Sequence, residues 1–243
     1  MVDAPRKADV RLAEGTGETP VPPGKRPAAQ PFPAAACVCV QEQAVHGVPG
    51  ARVLGAGEVV TIDVACAVAD ERGVRWHADA ATTVVVPHLD VPGASVPRTD
   101  DRAHALAALA HDATACATSL CQPGARWSAI VQRTRDFVRE RGGSLLAGYH
   151  GHGIGEQLHQ APTAWFERLP HEQDEASGRA LPDFTLLPGM VLCIEPIVSL
   201  SKSAPTLVLA SDGWSVLTRD RSPAAYVERC IAITRSGPRV LAG

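Results

Sequence analysis

No run of 18 consecutive apolar residues occurs in the 243-residue sequence, so there is no stretch to form a membrane-spanning helix. The opening residues MVDAPRKADVRLAEG contain no apolar signal core either, and a cytoplasmic location is the expectation. An excess of charge of one sign is missing as well. With 23 basic against 26 acidic residues and a formal net charge of -3, nothing draws the chain toward nucleic acid or an anionic membrane. The closest spacings among the seven cysteines are Cys37-x-Cys39 and Cys116-x4-Cys121. Neither makes a zinc knuckle, and the cysteines read as small buried hydrophobes in a reducing compartment. There is no G-x-S-x-G elbow for a serine nucleophile and no repeat at a solenoid period.

What is present is a globular composition, 45% apolar and 20% charged, with enough length for one large domain or two small ones. Residues 1–33 hold seven prolines and hardly a periodic apolar run. They read as a flexible or extended arm, assigned to residues 1–31, ahead of a folded domain over 32–243.

Strand signals begin at 35–40 and continue in two long runs joined at the turn 70–73. Val60, Ile62, Val64 and Cys66 alternate with Thr61, Asp63 and Ala65, placing Asp63 on the face opposite the valines. A hairpin folded about residue 71 sets Asp63 directly opposite Asp79, with Cβ atoms about 5 Å apart. Two carboxylates that close repel, and a cation between them is the economical resolution.

Two helices are expected over 100–120, with an acidic start and an alanine-rich body, and within 125–143, each covering one side of a curved sheet. The second carries Trp127, Ile130, Val131, Thr134, Phe137 and Val138 on one stripe. Residues 161–187 read as polar surface loops, and strands return at 188–198, 206–220 and 225–234.

Five side chains stand out as ligand types in apolar or glycine-rich settings: Asp63, Asp79, His152, Glu195 and Glu228. Charged groups enter strands such as LCIEPIV and AYVERCIAIT only if they face solvent or are paired. Four carboxylates and one imidazole match the charge of two divalent cations. His152 sits in GYHGHGIGEQLH, whose glycines supply backbone freedom and close approach; the stretch lacks the G-x-G-x-x-G spacing of a phosphate site. His150 is read as an outer partner or an exposed residue.

Five stretches in order, HGVPG, TIDVACAV…WHADAATTVVV, YHGHGIGEQLHQAP, LLPGMVLCIEPIV and GWSVLTRD…AYVERCIAIT, resemble the bacterial-type methionine aminopeptidases. The resemblance implies an α/β "pita-bread" fold, a curved antiparallel sheet backed by helices with the site in its concave face. It implies two divalent metal ions, cobalt, manganese, iron or zinc. Asp63 chelates one metal, Asp79 and Glu228 bridge both, and His152 and Glu195 complete the second. By the same resemblance, a metal-bridging hydroxide removes the N-terminal methionine of peptides or nascent proteins. Glu195 shuttles the proton, and His46 and His159 stand near the scissile amide and carbonyl. Phe32, Cys37, Leu158 and Trp214 correspond to the side-chain pocket, which is less aromatic here because Ala29, Phe32 and Leu158 replace larger or hydroxylated rings.

The chain departs from the family in lacking two helices ahead of the first strand, in a longer turn between Asp63 and Asp79, and in Arg229 beside the last glutamate. Exposed sheet surface then calls for a cover: the arm, a second copy in a weak dimer, or another protein, as against a plain monomer. Two alternatives stand beside the aminopeptidase: an X-Pro aminopeptidase or dipeptidase of the same fold, and a non-catalytic binding protein.

Overall fold

The computed structural model describes residues 11–12 (backbone), 31–87, 101–167 and 183–243. Most of the expected arm, Ala29 and most of the expected loop region at 161–187 lie outside the described residues. The elements in chain order are β1 (Arg11–Leu12), β2 (Cys37–Val40), β3 (Gln43–Val45), β4 (Val59–Ala69), β5 (Arg75–Val85), α1 (Asp101–Leu120) and α2 (Trp127–Glu140). They continue with β6 (Ser144–Leu145), β7 (His150–Gly153), β8 (Gln160–Trp165), β9 (Val191–Ile194), β10 (Val198–Ser199), β11 (Leu207–Leu209), β12 (Val216–Thr218), β13 (Ala224–Ala225), β14 (Arg229–Thr234) and β15 (Gly237–Ala242).

Two antiparallel sheets carry the architecture. In the first, β4 pairs with β5 along its full length, with β2 through Val60–Asp63 and with β1 through Cys66–Ala67. In the second, five strands run in the order β15-β14-β9-β7-β8. An antiparallel bridge between Ala81 and Glu228 joins the two. The smaller sheets β13-β10-β6 and β11-β12-β3 complete the frame.

Both helices contribute to one core with Val59, Leu192, Ile194, Ile231 and Ile233. Their composition explains this. Ala110, Ala113 and Ala117 are fully buried along one face of α1, and small side chains there bring the helix close to the strands. Trp127, Ile130, Val131, Thr134 and Val138 are the buried stripe of α2, while Phe137 lies at its margin.

Two sequence expectations change. The β4–β5 hairpin folds about residue 72, so Asp63 faces Ala81 and Asp79 faces Ala65. The two aspartates are therefore diagonal on the same face, since a shift of two residues preserves the face and a shift of one would not. Residues 160–165 form strand β8 instead of a loop, held by pairing with β7. The terminal strand β15, which carries little alternation, is specified by its pairing with β14. On the far face of β4 and β5, Ile62, Val64, Trp76 and Val84 are exposed, at 37–50% of their full area.

Candidate active site

The face of the hairpin that carries Asp63 and Asp79 meets the second sheet at one end, and the remaining polar groups arrive from its strand termini. Glu195 directly follows β9, where Pro196 ends the ladder because it has no N–H to donate. Glu228 directly precedes β14. Arg229 and Ile194 form the last paired rung, so the two glutamates flank that rung from adjacent strands. The N–H of Glu228 donates to Ala81 O at 2.9 Å, Thr83 Oγ1 donates to Tyr226 O at 2.6 Å, and Thr114 Oγ1 donates to Val227 O at 2.7 Å. These bonds tether the segment ahead of β14 to β5 and α1, and so fix where Glu228 points.

His152 lies on β7 between Gly151 and Gly153. A Cβ at Gly151 would stand 2.2 Å from Cys193 O, and one at Gly153 would stand 2.2 Å from Ala161 O. Close approach of the flanking strands, and not a positive φ, is what requires glycine at both positions. The Nδ1–H of His152 donates to Gly153 O at 3.0 Å. Its Nε2 lone pair then faces Glu195 Oε1 at 3.7 Å and Asp79 Oδ2 at 4.0 Å.

One cavity is lined by Asp63, Asp79, His152, Glu195, Glu228, His46 and His159, together with His150, Val45 and both tyrosines of the chain, Tyr149 and Tyr226. The His46 ring packs on Tyr149 with centroids 5.5 Å apart, and the His159 ring on His152 at 4.2 Å. His150, read from sequence as an outer partner or an exposed residue, is half-buried against Trp165 at 4.5 Å. Phe32 and Trp214 meet edge to face at 5.3 Å. Cys37 pairs with Asp63 across β2 and β4, and Leu158 packs with Ile154, Cys193 and Cys230. These four residues lie outside the lining of the cavity.

Burial raises the proton affinity of all four carboxylates. Desolvation is the leading cause at each, and for Asp79, Glu195 and Glu228 neighbouring carboxylates add to it. Desolvation has the opposite effect on the imidazoles, lowering His152 to about 3 and His159 to about 4, so both are neutral near pH 7. Asp79 Oδ1 and Glu228 Oε1 are buried with no hydrogen-bond partner. Crowded acceptors facing an unprotonated imidazole nitrogen, two of them orphaned, fit divalent cations well, because a cation satisfies the orphaned oxygens and cancels the repulsion.

Two participants were not singled out from the sequence. Tyr226 donates from its hydroxyl to Asp63 Oδ2 at 2.7 Å. Its signal was available, since it precedes Glu228 by two residues and so shares its side of an extended chain. Cys193 departs from the reading of the cysteines as bystanders: its Sγ lies with donor atoms of Asp79, His152 and Glu228, all within 4.8 Å of one another.

The family model for metallopeptidase family M24 matches residues 18–235. The chain is 32% identical over 212 residues to the methionine aminopeptidase of Mycoplasma capricolum subsp. capricolum, covering 87% of this chain and 74% of that one. Among solved structures, the methionine aminopeptidase of Thermotoga maritima superposes with a TM-score of 0.69 at 29% identity, covering 85% of this chain and 72% of that one. The prolidase of Pyrococcus furiosus shares the fold at 18% identity, with a TM-score of 0.55 over 86% of this chain and 48% of that one. Both solved structures place the chain among the pita-bread folds. The chain thus belongs to metallopeptidase family M24, with methionine aminopeptidases among its relatives.

Proposed function

We propose that this protein is a dinuclear metal-dependent aminopeptidase that removes the N-terminal methionine from peptides or nascent proteins. The observation that carries the reading is the convergence of Asp63, Asp79, His152, Glu195 and Glu228 on one cavity that His46 and His159 also line. Asp63 would hold one ion, Asp79 and Glu228 would serve both, and His152 and Glu195 would hold the second. Cobalt, manganese, iron and zinc all suit an oxygen-rich set with one imidazole. Bound divalent cations supply Lewis acidity, which lowers the pKa of a water and polarises a carbonyl.

The chain's own residues handle the proton and the substrate. Glu195, whose proton affinity burial has raised, takes a proton from the attacking water and passes it to the leaving amine. His159, neutral near pH 7, offers a hydrogen bond to the scissile carbonyl, and His46 stands across the cavity to do the same for the amide. Phe32 and Trp214, with Cys37 and Leu158, form the apolar surroundings of the methionine side chain. Residues 32–243 form the catalytic domain and 1–31 an arm, and the protein works in the cytoplasm. Among the described residues no helix is long and apolar enough to cross a membrane.

The test is to purify the protein, load it with each of the four ions in turn, and assay Met-Ala-Ser against an X-Pro peptide. Release of methionine from Met-Ala-Ser, with two ions per chain by elemental analysis, is the expected result. Preferential X-Pro cleavage would move the protein to the other branch of the fold. No hydrolysis with no bound ion would make it a binding protein.

A further inference from the structure

Next to the four carboxylates and His152, the second sheet carries sulfur. Cys193 and Glu195 are two residues apart and share one side of the chain, as do Glu228 and Cys230. Cys193 and Cys230 are register partners across β9 and β14. A rung of two thiols therefore lies next to the two glutamates, on their side of the sheet. Cys193 is fully buried, and its Sγ groups with donor atoms of Asp79, His152 and Glu228 within 4.8 Å. Asp79 and Glu228 also carry the orphaned oxygens Oδ1 and Oε1.

We propose that Cys193 supplies a thiolate ligand to the cation held by Asp79, His152 and Glu228, and that this sulfur makes the site select thiophilic divalent ions, zinc ahead of manganese. The inference rests on the reading of those three residues as metal ligands. Zinc bonds of about 2.0–2.3 Å hold neighbouring donors roughly 3–4 Å apart in a four- or five-coordinate shell, so the group, with Glu195 beside it, closes on an ion with about 1 Å of side-chain adjustment. As the metal–sulfur bond forms, the thiol proton leaves to solvent, one per site. The Cys230 thiol then turns its S–H toward the Cys193 sulfur, a weak donor to a strong acceptor. Thiolate ligation favours zinc over manganese because manganese prefers carboxylate, carbonyl and water oxygen.

The first experiment needs no mutation. Zinc K-edge X-ray absorption of the full-length, zinc-loaded protein should show a sulfur scatterer at about 2.3 Å, half a sulfur per zinc when both ions are bound. A shell of nitrogen and oxygen alone overturns the proposal. The second loads cobalt(II) into the wild type, Cys193→Ser, Cys193→Thr and Cys230→Ser, with circular dichroism checking each fold. A sulfur-to-cobalt charge-transfer band is expected in the wild type and in Cys230→Ser, and its absence is expected in both Cys193 variants. Zinc affinity should fall about tenfold or more in those variants, while manganese affinity moves by less than about threefold. Cobalt bound without the band, or an unchanged zinc-to-manganese ratio in a folded Cys193 variant, overturns the role of sulfur and leaves the carboxylate site standing. Failure of the wild type to bind cobalt at all overturns both that site and the proposal.

Discussion

The Tyr226 hydroxyl donates to Asp63 Oδ2 at 2.7 Å, although 163 residues separate the two in sequence. Tyr226 is buried in the segment leading into β14, and Asp63 is on β4, so this bond connects the two sheets across the cavity. It engages one oxygen of Asp63 and leaves the other for a ligand. Tyr226→Phe should keep the fold and weaken metal binding by about 10–100-fold, because orienting partners contribute that much to ligand affinity. Competition with a fluorescent chelator measures it, and an unchanged affinity would mean that Asp63 is oriented by other groups.

Asp79 is buried, with its proton affinity raised first by desolvation and then by Asp63. Without a cation its ionised form costs stability, and asparagine removes that cost at nearly equal volume. Asp79→Asn should raise the stability of the metal-free protein by about 0.5–2 kcal/mol while abolishing peptide hydrolysis and the stabilisation gained on adding metal. Chemical denaturation with and without metal reads both effects.

The carboxylates and imidazoles respond to pH with opposite signs. A carboxylate raised in the fold keeps a proton that the unfolded chain has released, so the metal-free protein loses stability as pH rises through that window. His152 and His159, lowered to about 3 and about 4, act the other way, and their contribution is complete above the unfolded value of about 6.5. Beyond the histidine range the raised carboxylates set the sign, and the thermal midpoint of the metal-free protein should fall as pH rises. Metal displaces those protons, so the gain in midpoint on adding manganese or zinc should grow over the same range. Thermal scans in chelator and in metal between pH 6 and 8 test both slopes.

Gly151→Ala should destabilise the protein by about 1–3 kcal/mol, because its Cβ would meet the Cys193 carbonyl at 2.2 Å and backbone must give way. The strain falls beside His152, so metal affinity should drop together with the urea midpoint. A variant with a lowered midpoint and intact affinity would show that β7 relaxes away from the site.

Ile62 and Val84 are exposed at 41% and 46% on the far face of the hairpin. Their joint replacement by lysine should change folding stability by no more than about 0.5 kcal/mol per site and leave hydrolysis unaltered. Sedimentation velocity of the double variant against the wild type reports whether this face carries the weak self-association considered from sequence.

Some of this was legible in the chain. The two-residue alternation put Asp63 on the side away from the valines, and the hairpin was visible as two β-rich runs about a polar turn. The helix at 101–120 followed from its acidic start and alanine-rich body and the one at 127–140 from its apolar spacing, and both agree with the structure within a few residues. The register was less accessible, because moving the fold from residue 71 to 72 leaves the face of every side chain unchanged and the hydrophobic pattern blind to it. Strand β8 was missed because Gln160, Ala161 and Pro162 have weak strand preferences of their own; it exists because β7 offers it a ladder. Cys193 was missed because a thiol in an apolar run reads the same whether it faces a core or a cluster of acids.

The sequence by itself determined which side chains were available for chemistry and which side of its own strand each would occupy, since alternation is a local property of an extended chain. Only the tertiary structure decided that these sides face one another. The Ala81–Glu228 bridge, the rung of Arg229 and Ile194 that the two glutamates flank, the bond from Tyr226 to Asp63 and the approach of Cys193 all join segments distant in sequence. Which strands pair is settled by burying one shared core, a property of the whole chain that no local pattern of residues contains.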